Sequence, residues 1–494
     1  MLPEQLLFFV FAYFGLLLGV AWLTSRRSDN ESFFIGNKRS NWMLVSFGMV
    51  GTSLSGVTFI SVPGAVGVDG FRYLQIALGY VLGYLVIAFV LLPLYYRHGL
   101  TSIYRYLDFR MGTIAGKTGA GFFILSRTLG ATARLYLVVR ILQDVILDGL
   151  HVPFWLTAMV ILVMILLYTY EGGVKTIVWT DTLQTTCMLL GLAICASYLL
   201  DNLGLSLADG LAQMRQRGLA TVFSTDVDSR QYFLKQVPAG MFIAIAMTGM
   251  DQEMMQKSIS VKTLRDSQKN IIVLSMTMLT VILLFLFLGG LLYLYAPAVN
   301  VTVTGDRIFP AVVLGHLPAA VQMIFIIALI SALFPSADGA ITALTSSFCI
   351  DILGFNEHRQ NGEAALKRLR HRIHLCFALL FLLLVMIFRW ADNPSMIGLI
   401  LKLAGYTYGP LLGLFAFGIL TGRVVRDSGV PYVALLAPLL CYGLDVHQST
   451  LFGAYQIGLE LLIVNGLLTF IGLWVISRPH HAGVGSPRVA ASLP

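Results

Sequence analysis

Charged residues are scarce in this sequence. Only 12% of its 494 residues are Asp, Glu, Lys or Arg, whereas 57% are hydrophobic, and the mean hydropathy is +0.80. A soluble globular domain carries roughly twice that share of charged residues. The scarcity of charge excludes water as the main solvent of the chain and indicates an integral membrane protein.

Cysteines are also few, and none of them follows a metal-binding pattern. The five cysteines lie in or beside apolar stretches without a C-x-x-C spacing: Cys187, Cys195, Cys349, Cys376 and Cys441. This pattern argues against a disulfide framework and against a metal cluster. The chain also lacks paired catalytic acids in a loop and a nucleophile motif, so we predict that it is not an enzyme.

The N-terminal pattern lacks the features of a cleavable signal peptide. The first apolar run, residues 6–23, has no basic residue before it and no small-residue cleavage site after it. We therefore expect this run to be retained as the first membrane span.

Long hydrophobic runs are the main feature that the sequence does contain. Most last for about 18 to 25 residues, the length that an α-helix needs to cross the hydrocarbon core of a bilayer. The pattern predicts an all-α integral membrane protein with about thirteen transmembrane helices. The predicted spans are residues 4–24, 42–67, 73–96, 118–147, 153–170, 176–200, 236–256, 270–295, 319–350, 373–388, 395–421, 431–446 and 455–477.

The basic residues follow the loops between these spans. With loops assigned alternately to the two sides, one side together with the C-terminal tail holds 22 Lys and Arg, and the other side holds 7. Cytoplasmic loops are enriched in basic residues, so this bias predicts an N-terminus outside the cell and a cytoplasmic C-terminus. Membrane topology thereby explains the formal net charge of +8, and we expect the chain to contact the lipid bilayer rather than nucleic acid.

The second predicted span is unusual at its centre. Residues 47–64 read FGMVGTSLSGVTFISVPG, which places glycines and hydroxyl residues, all weak helix formers, at mid-membrane depth. Broken backbone at that depth is tolerated only where it is buried in protein or lines a wet cavity. The carbonyl groups that a break frees could bind a cation. Close helix packing through small residues is the alternative explanation.

With these residues the chain resembles the sodium:solute symporter family, which includes proline, sugar, vitamin and sialic acid symporters. Four further motifs carry the resemblance in a fixed order: GGVKTIVWTDTLQ at 172–184, TGMDQEMMQK at 248–257, SALFPSADGA at 331–340 and GYTYGPLLGLF at 405–415. The resemblance implies a leucine-transporter-type core, in which two inverted five-helix repeats bind substrate and ion at broken helices near the midplane.

This core divides the chain into consecutive segments. We predict a first span and cytoplasmic loop at 1–41, a first inverted repeat at 42–200, an external loop at 201–235, a second inverted repeat at 236–421, two last spans at 422–478 and a cytoplasmic tail at 479–494.

The resemblance implies a main sodium site between the second and ninth spans. The carbonyl ligands of the family match Gly51 and Leu54 on the second span and Ala332 on the ninth. Two hydroxyl ligands follow in the family, and their positions here hold Pro335 and Ser336. Because proline has no hydroxyl, we expect a neighbouring carbonyl freed by the proline, or a water, to replace one oxygen ligand.

Asp181 and Asp338 are carboxylates inside predicted spans. A charge at the bilayer centre costs roughly 2.5 to 3.5 kcal/mol on insertion scales, and such residues usually mark ion or proton routes. In family members with a second sodium site, the aspartate matches Asp181, and two hydroxyl positions match Asp338 and Gly339. Two hypotheses stay open: a second cation or proton site shared by Asp181 and Asp338, or a structural role in which each caps or pairs a helix.

The implied substrate site has its closest resemblance to that of sialic acid symporters. Three hydroxyl residues on the second span of those symporters match Ser53, Ser55 and Thr58 here, and Gly56 between them is also predicted to line the substrate site. Further candidate pocket or gate residues are Gln75 on the third span and the aromatic pair Tyr406 and Tyr408.

An arginine on the fourth span is the remaining substrate candidate. Sialic acid symporters clamp the substrate carboxylate with an arginine whose position here is Gly130, but Arg134 lies one helical turn further on. A guanidinium at Arg134 would lie on a similar face and could bind a carboxylate bidentately. The alternative is that Arg127, Arg134 and Arg140 are structural residues that pair with Asp144 or reach an interface.

These features together predict a sodium-coupled symporter of the bacterial inner membrane. It would import a small polar solute, such as a sugar, a sugar acid like sialic acid or another carboxylate, by alternating access with Na⁺. One alternative is a proton-coupled transporter of the same fold, which Pro335 and Asp338 favour. A second alternative is a membrane sensor that uses the fold to detect its ligand. The sequence does not indicate which solute is carried or the oligomeric state.

Overall fold

The computed structural model describes residues 3–25, 40–355, 363–391 and 396–479, and this part of the chain is almost entirely helical. Of the predicted cytoplasmic tail, only Pro479 lies among the described residues. The α-helices are α1 Pro3–Ser25, α2 Trp42–Ser53, α3 Gly56–Asp69, α4 Tyr73–Val86, α5 Leu92–Arg97, α6 Arg105–Met111, α7 Thr113–Leu142, α8 Phe154–Leu203, α9 Leu207–Gln216, α10 Phe233–Ala244, α11 Gln252–Ile259, α12 Leu264–Tyr295, α13 Ile308–His316, α14 Ala319–Ser347, α15 Glu363–Ala391, α16 Met396–Thr407, α17 Gly409–Leu420, α18 Val430–Val446, α19 Gln448–Phe452 and α20 Leu461–Val475.

Several of these helices have the length and composition of membrane spans. Within the described residues, seven helices are long and apolar enough to cross a membrane, and the number rises to ten if each of three bent helix pairs is one span. Shorter apolar helical segments occupy the positions of the other predicted spans: Leu7–Leu23 in α1, Phe154–Leu167 in α8 and Leu461–Val475 in α20. A membrane fold is therefore confirmed, whereas the number thirteen stays a prediction.

The three bent pairs are the structural feature that positions the site. Trp42–Ser53 meets Gly56–Asp69 at 56°, Phe233–Gly249 meets Gln252–Ile259 at 66°, and Met396–Thr407 meets Gly409–Leu420 at 44°. The first break falls at the centre of its pair, where the sequence predicts it. In the second pair the helix resumes after the bend and ends at Ile259, so it extends beyond the predicted span of residues 236–256.

Helix α8 differs from the sequence prediction. The predicted spans 153–170 and 176–200 lie in one helix of 50 residues, Phe154–Leu203, whose backbone is helical through residues 171–175. Two glycines in that stretch weaken a helix by about 1 kcal/mol each. Neither a proline nor an N-cap residue of the usual kind interrupts the stretch, so the sequence there contains no strong stop signal.

Aromatic packing fixes the second half of the broken second span. The Phe59 ring on α3 lies 5.3 Å from the Phe309 ring and 5.7 Å from the Phe285 ring, and Phe309 lies 4.8 Å from Phe325, measured between centroids. All four side chains are fully buried. Offset and edge-to-face contacts of this kind add to the stabilisation from burial, so α3 is held against α12, α13 and α14.

A short antiparallel sheet joins two connections on one side of the helix bundle. Strand β1, Val424–Val425, pairs with β2, Ser477–Arg478, in the register Val424 to Arg478 and Val425 to Ser477. The chain between the two strands contains α18 and α20. The pairing therefore fits the prediction that two spans separate these connections and return the chain to the same side.

Candidate substrate and cation site

The break between α2 and α3 leaves backbone oxygens without their helical donors. Leu54 has φ −90° and ψ 63°, and Ser55 has φ −59° and ψ 170°, so both leave the helical conformation. The Leu54 N–H donates to the Val50 carbonyl at 2.8 Å, and the Phe59 N–H donates to the Ser55 carbonyl at 3.1 Å. Within the described residues, the carbonyl oxygens of 51–54 accept no backbone hydrogen bond. These oxygens are available to a cation.

The glycines of α2 serve a packing purpose at the same time. A Cβ atom at Gly48 would lie 3.1 Å from the Asp181 Cβ, and one at Gly51 would overlap the Thr185 side chain. Both glycines therefore let α2 approach α8 closely, as small residues do at helix interfaces in membranes. The packing explanation and the broken-helix explanation of this segment both apply, and both involve Gly51.

A cavity of about 100 Å³ lies beside the break. Four residues that the sequence predicts for the substrate site line it: Ser53, Ser55, Thr58 and Arg134. The Ser53 Oγ atom is buried and has no hydrogen-bond partner among the described residues. Gly56 is buried directly after the break but is not among the lining residues. The cavity thus combines hydroxyl groups with a guanidinium.

The two arginines of this cavity differ in their partners. Arg127 has acidic partners, because it forms a hydrogen-bonded ion pair with Glu253 and lies 3.7 Å from the Asp251 carboxylate. Arg134 has no ion pair or hydrogen bond with any described residue. Arg140 pairs with Asp144 at 3.8 Å, which agrees with the structural role that the sequence analysis gives as the alternative for this residue. Arg134 therefore brings to the cavity a guanidinium without a direct acidic partner among these residues, while Glu253 and Asp251 act on it only at longer range.

Gly130 and Arg134 lie at the same small extension of this cavity. A pocket of about 10 Å³ is lined by both residues and also by Arg127 and Tyr408. A Cβ atom at Gly130 would meet nothing within 4 Å. The Arg134 side chain thus reaches the region that an arginine at position 130 would enter.

Three tyrosines of α4 form a wall of the cavity that the sequence prediction missed. Tyr73, Tyr80 and Tyr84 all line it, and the Tyr73 and Tyr80 hydroxyls lie 3.4 Å apart. Their spacing of seven and then four residues places them on one helix face. That periodicity was the signal available in the sequence. Ile397, Ile400 and Leu401 of α16 add an apolar side.

Two predicted pocket residues lie elsewhere. The Gln75 side chain is fully buried and bonds the backbone of Arg72 and Gln231, at 3.3 and 3.1 Å. The Tyr406 hydroxyl donates to the Asp445 carboxylate at 2.6 Å, and neither residue lines the cavity. Both side chains are committed to structural hydrogen bonds.

The residues predicted for the ninth-span half of the sodium site lie on α14. Ala332 and Ser336 are fully buried, and α14 packs against both α2 and α3. Pro335 lies inside a helix that stays continuous from Ala319 to Ser347. Because proline lacks an N–H, the Ser331 carbonyl one turn earlier loses its helical donor. The set of candidate oxygens fits a hard cation such as Na⁺, which prefers carbonyl and hydroxyl ligands.

Asp181 meets a cation from the chain itself. The Lys257 ammonium lies 2.7 Å from the Asp181 Oδ2 atom and 2.7 Å from the Thr52 hydroxyl, which donates to the same carboxylate at 3.2 Å. All three side chains are buried. The predicted partner of Asp181, Asp338, is also fully buried and is close enough to interact electrostatically with Lys257. The predicted span of residues 236–256 leaves Lys257 in the loop that follows, and the structure corrects this prediction.

The second break carries a charge network that continues from this pair. Asp251 caps α11 by accepting hydrogen bonds from the N–H groups of Glu253 and Met254, at 2.9 and 3.3 Å. The Tyr408 hydroxyl donates to the other Asp251 oxygen at 2.8 Å. Since Tyr408 lies at the third break, Arg127, Asp251 and Tyr408 connect two bends of the fold through buried polar contacts.

The fold is a bundle of apolar helices in which one span is broken at its centre. The break carries carbonyl oxygens without a backbone donor among the described residues, and a polar cavity lies beside it. Together these features define a membrane carrier. The chain belongs to the sodium:solute symporter family, since the model of that family matches residues 33–430. Na⁺ is the coupling ion of this family. The membership that the sequence motifs implied is confirmed.

Individual relatives agree with this membership. The chain is 29% identical to the human sodium/iodide cotransporter over 255 residues, which are 50% of this chain and 38% of that protein. It is 22% identical to the sodium/sialic acid symporter NanT of Aliivibrio fischeri, over 93% of this chain and 92% of that protein. These relatives are transporters and not enzymes, as the sequence predicts.

A solved structure shares the fold. The substrate-bound, outward-open state of a Na⁺-coupled sialic acid symporter aligns with a TM-score of 0.81 and 16% identity, over 96% of this chain and 97% of that one. The likeness confirms the transporter fold.

Proposed function

We propose that this protein is a sodium-coupled symporter that imports a small carboxylate solute, such as a sugar acid. The observation that carries the proposal is the Arg134 guanidinium, which lines the cavity without an acidic partner in the described part of the chain. Arg134 is partly buried, and a partly desolvated cation without a direct counter-ion is poorly compensated, so a bound anion would stabilise this arrangement. The relatives named for iodide and sialic acid are transporters of anions, which supports the same class of solute.

In this proposal the solute bridges Arg134 and the hydroxyls of the break. A guanidinium binds a carboxylate through two parallel hydrogen bonds, and Ser53, Ser55 and Thr58 would bind the solute's other polar groups. The tyrosines Tyr73, Tyr80 and Tyr84 offer further hydroxyls and aromatic surface on the opposite helix. Ile397 and Ile400 would cover an apolar part of the solute.

Na⁺ binds next to the solute in the same proposal. The carbonyl oxygens of Gly51, Leu54 and Ala332 and the Ser336 hydroxyl would hold the ion, with the Ser331 carbonyl as a candidate for the oxygen that Pro335 lacks. Leu54 lies between two proposed solute ligands, Ser53 and Ser55, so an ion on its carbonyl would order the segment that presents both hydroxyls. Ion and solute therefore favour each other's binding.

The membrane potential supplies part of the driving force. One positive charge that moves down a potential of 100 mV releases about 2.3 kcal/mol, and that free energy corresponds to roughly 50-fold accumulation of the solute.

Reciprocal stabilisation is the expected result of a thermal-shift experiment. Purified protein would be heated with neutral sugars, sugar acids and monocarboxylates, each in NaCl and in choline chloride. A carboxylate solute should raise the melting temperature more in NaCl than in choline chloride, because a ligand that binds only the folded state stabilises it more as its dissociation constant falls, and bound Na⁺ lowers that constant. Stabilisation by a neutral sugar alone, with equal shifts in both salts, would contradict the proposal.

Ser336→Ala tests the ion site. Loss of one hydroxyl ligand to a cation costs about 1.5 kcal/mol, so the apparent affinity for Na⁺ should fall about tenfold. The Na⁺ concentration that gives half-maximal stabilisation measures this effect. Ser331→Ala is the matched control on the same helix, because the Ser331 hydroxyl contacts Tyr13 at 2.7 Å instead. Equal Na⁺ affinities for the two variants would remove Ser336 from the ion site.

A further inference from the structure

Lys257 occupies the place beside Asp181 where an exogenous cation would be expected. Its ammonium contacts the Asp181 carboxylate and the Thr52 hydroxyl at hydrogen-bonding distance, 2.7 Å in each case. Thr52 belongs to the broken second span and Asp181 to α8, while Lys257 reaches them from α11. An ammonium has the charge of a sodium ion and donates hydrogen bonds to the oxygens that Na⁺ would receive as ligands.

Glu253 fills the remaining space near this position. A Cβ atom at Gly339 would overlap the Glu253 carboxylate, so this carboxylate lies directly against α14 where the chain lacks a side chain. Its Oε1 atom lies 3.6 Å from the Lys257 ammonium, and its other oxygen pairs with Arg127. Glu253 and Lys257, one turn apart on α11, thus enter the space between Asp181 and α14 together.

The charged side chains around Lys257 interact with partners within the protein. Asp251 caps α11, whose N-terminus favours a negative charge, and also accepts a hydrogen bond from the Tyr408 hydroxyl. Glu253 pairs with Arg127, and Asp181 pairs with Lys257. Asp338 accepts the Gly339 N–H at 2.5 Å and is within electrostatic range of Lys257. A sodium ion on Asp181 would have to lie within a few ångströms of the fixed ammonium, and the two like charges would repel strongly in this buried environment.

We propose that Lys257 is a tethered cation that closes the second cation position, so that this carrier binds a single Na⁺ in each transport cycle. The inference rests on the proposed function, because it presupposes the main sodium site at Gly51, Leu54, Ala332 and Ser336. Lys257 then determines the stoichiometry of coupling without contacting the solute.

Equilibrium binding of ²²Na⁺ to the purified full-length protein tests this inference without a solute. The wild type should bind one ion per chain. Lys257→Ala removes the ammonium and leaves the Asp181 carboxylate with open space beside it, so this variant should bind two. Adding Asp181→Asn to Lys257→Ala should return the number to one, and Ser336→Ala should weaken the single site of the wild type.

Each alternative result has a distinct meaning. Two ions on the wild type, or one ion on a folded Lys257→Ala protein, would overturn the inference and leave the proposed function intact. No ion on the wild type would overturn the proposed function itself. Should Lys257→Ala fail to fold, the neutral pair Asp181→Asn with Lys257→Gln replaces it. That variant keeps the contacts without charge and should still bind one ion, and two ions would overturn the inference.

Discussion

Replacing Arg134 by glutamine is expected to lower the apparent affinity for a carboxylate solute about 100-fold. The substitution removes a charge-assisted bidentate interaction, and such an interaction contributes roughly 3 kcal/mol when it is buried. Arg134→Lys keeps the charge but loses the planar fork, so it should recover only part of the affinity. The affinities of the wild type, Arg134→Gln and Arg134→Lys for the same carboxylate are measured by solute-dependent thermal stabilisation in NaCl.

Arg140→Gln is the matched control for Arg134. It removes a guanidinium from the same helix, but Arg140 pairs with the exposed Asp144 and does not line the cavity. The affinity of Arg140→Gln should therefore stay within about twofold of the wild type, since exposed ion pairs contribute 0 to 1 kcal/mol to stability and none to a distant ligand. If the carboxylate stabilised Arg134→Gln as much as the wild type, the cavity would not recognise an anion through this residue.

Replacing Arg127 by methionine should have the largest effect on stability. Arg127 compensates Glu253 and lies near Asp251, and all three side chains are buried. Removal of one partner of a buried ion pair leaves an uncompensated charge and costs about 3 to 5 kcal/mol. We expect a large loss of folded, monodisperse protein after heating, which size-exclusion chromatography of the detergent-purified variant measures.

Lys402→Met provides the control for this second prediction. Lys402 also forms an ion pair, at 2.7 Å from Asp445, but its side chain is 58% exposed. Because exposed pairs contribute no more than about 1 kcal/mol, Lys402→Met should resemble the wild type on heating. Equal behaviour of Arg127→Met and Lys402→Met would contradict a structural role of the buried network.

The first break and the cavity hydroxyls could be predicted from the sequence because their signal is local. Gly51, Ser53, Ser55 and Gly56 lie within six residues, and weak helix formers at mid-span have a direct structural meaning. Family motifs added the ninth-span half of the ion site. The same glycines also indicated close helix packing, but the local pattern could not identify Thr185 as the contact of Gly51, which depends on the approach of a second helix.

The charge network could not be predicted in the same way. Lys257 and Asp181 are far apart in sequence, and no periodicity connects them. The predicted spans leave Lys257 in a loop, where a basic residue near a span end usually lies. The bend after Gly249 turns α11 back into the protein and buries that residue. Tertiary packing determines which buried charges form ion pairs, and patterns in a single sequence contain little information about that packing.

Helix α8 shows the opposite limitation. Composition divides residues 153–200 into two apolar runs with polar residues between them, and the sequence prediction places a loop there. The described backbone is helical throughout, because glycine lowers helix propensity without ending a helix by itself. Polar residues between two apolar runs can thus interrupt the hydropathy pattern without interrupting the helix.

Uptake by the reconstituted protein tests sodium-coupled symport most directly. Vesicles that contain the purified protein would receive a radiolabelled carboxylate solute from the thermal-shift panel, with NaCl or choline chloride outside and an inside-negative potential. We predict accumulation above the external concentration with the inward Na⁺ gradient and almost none with choline at the same pH. Undiminished accumulation in choline chloride would contradict coupling to Na⁺.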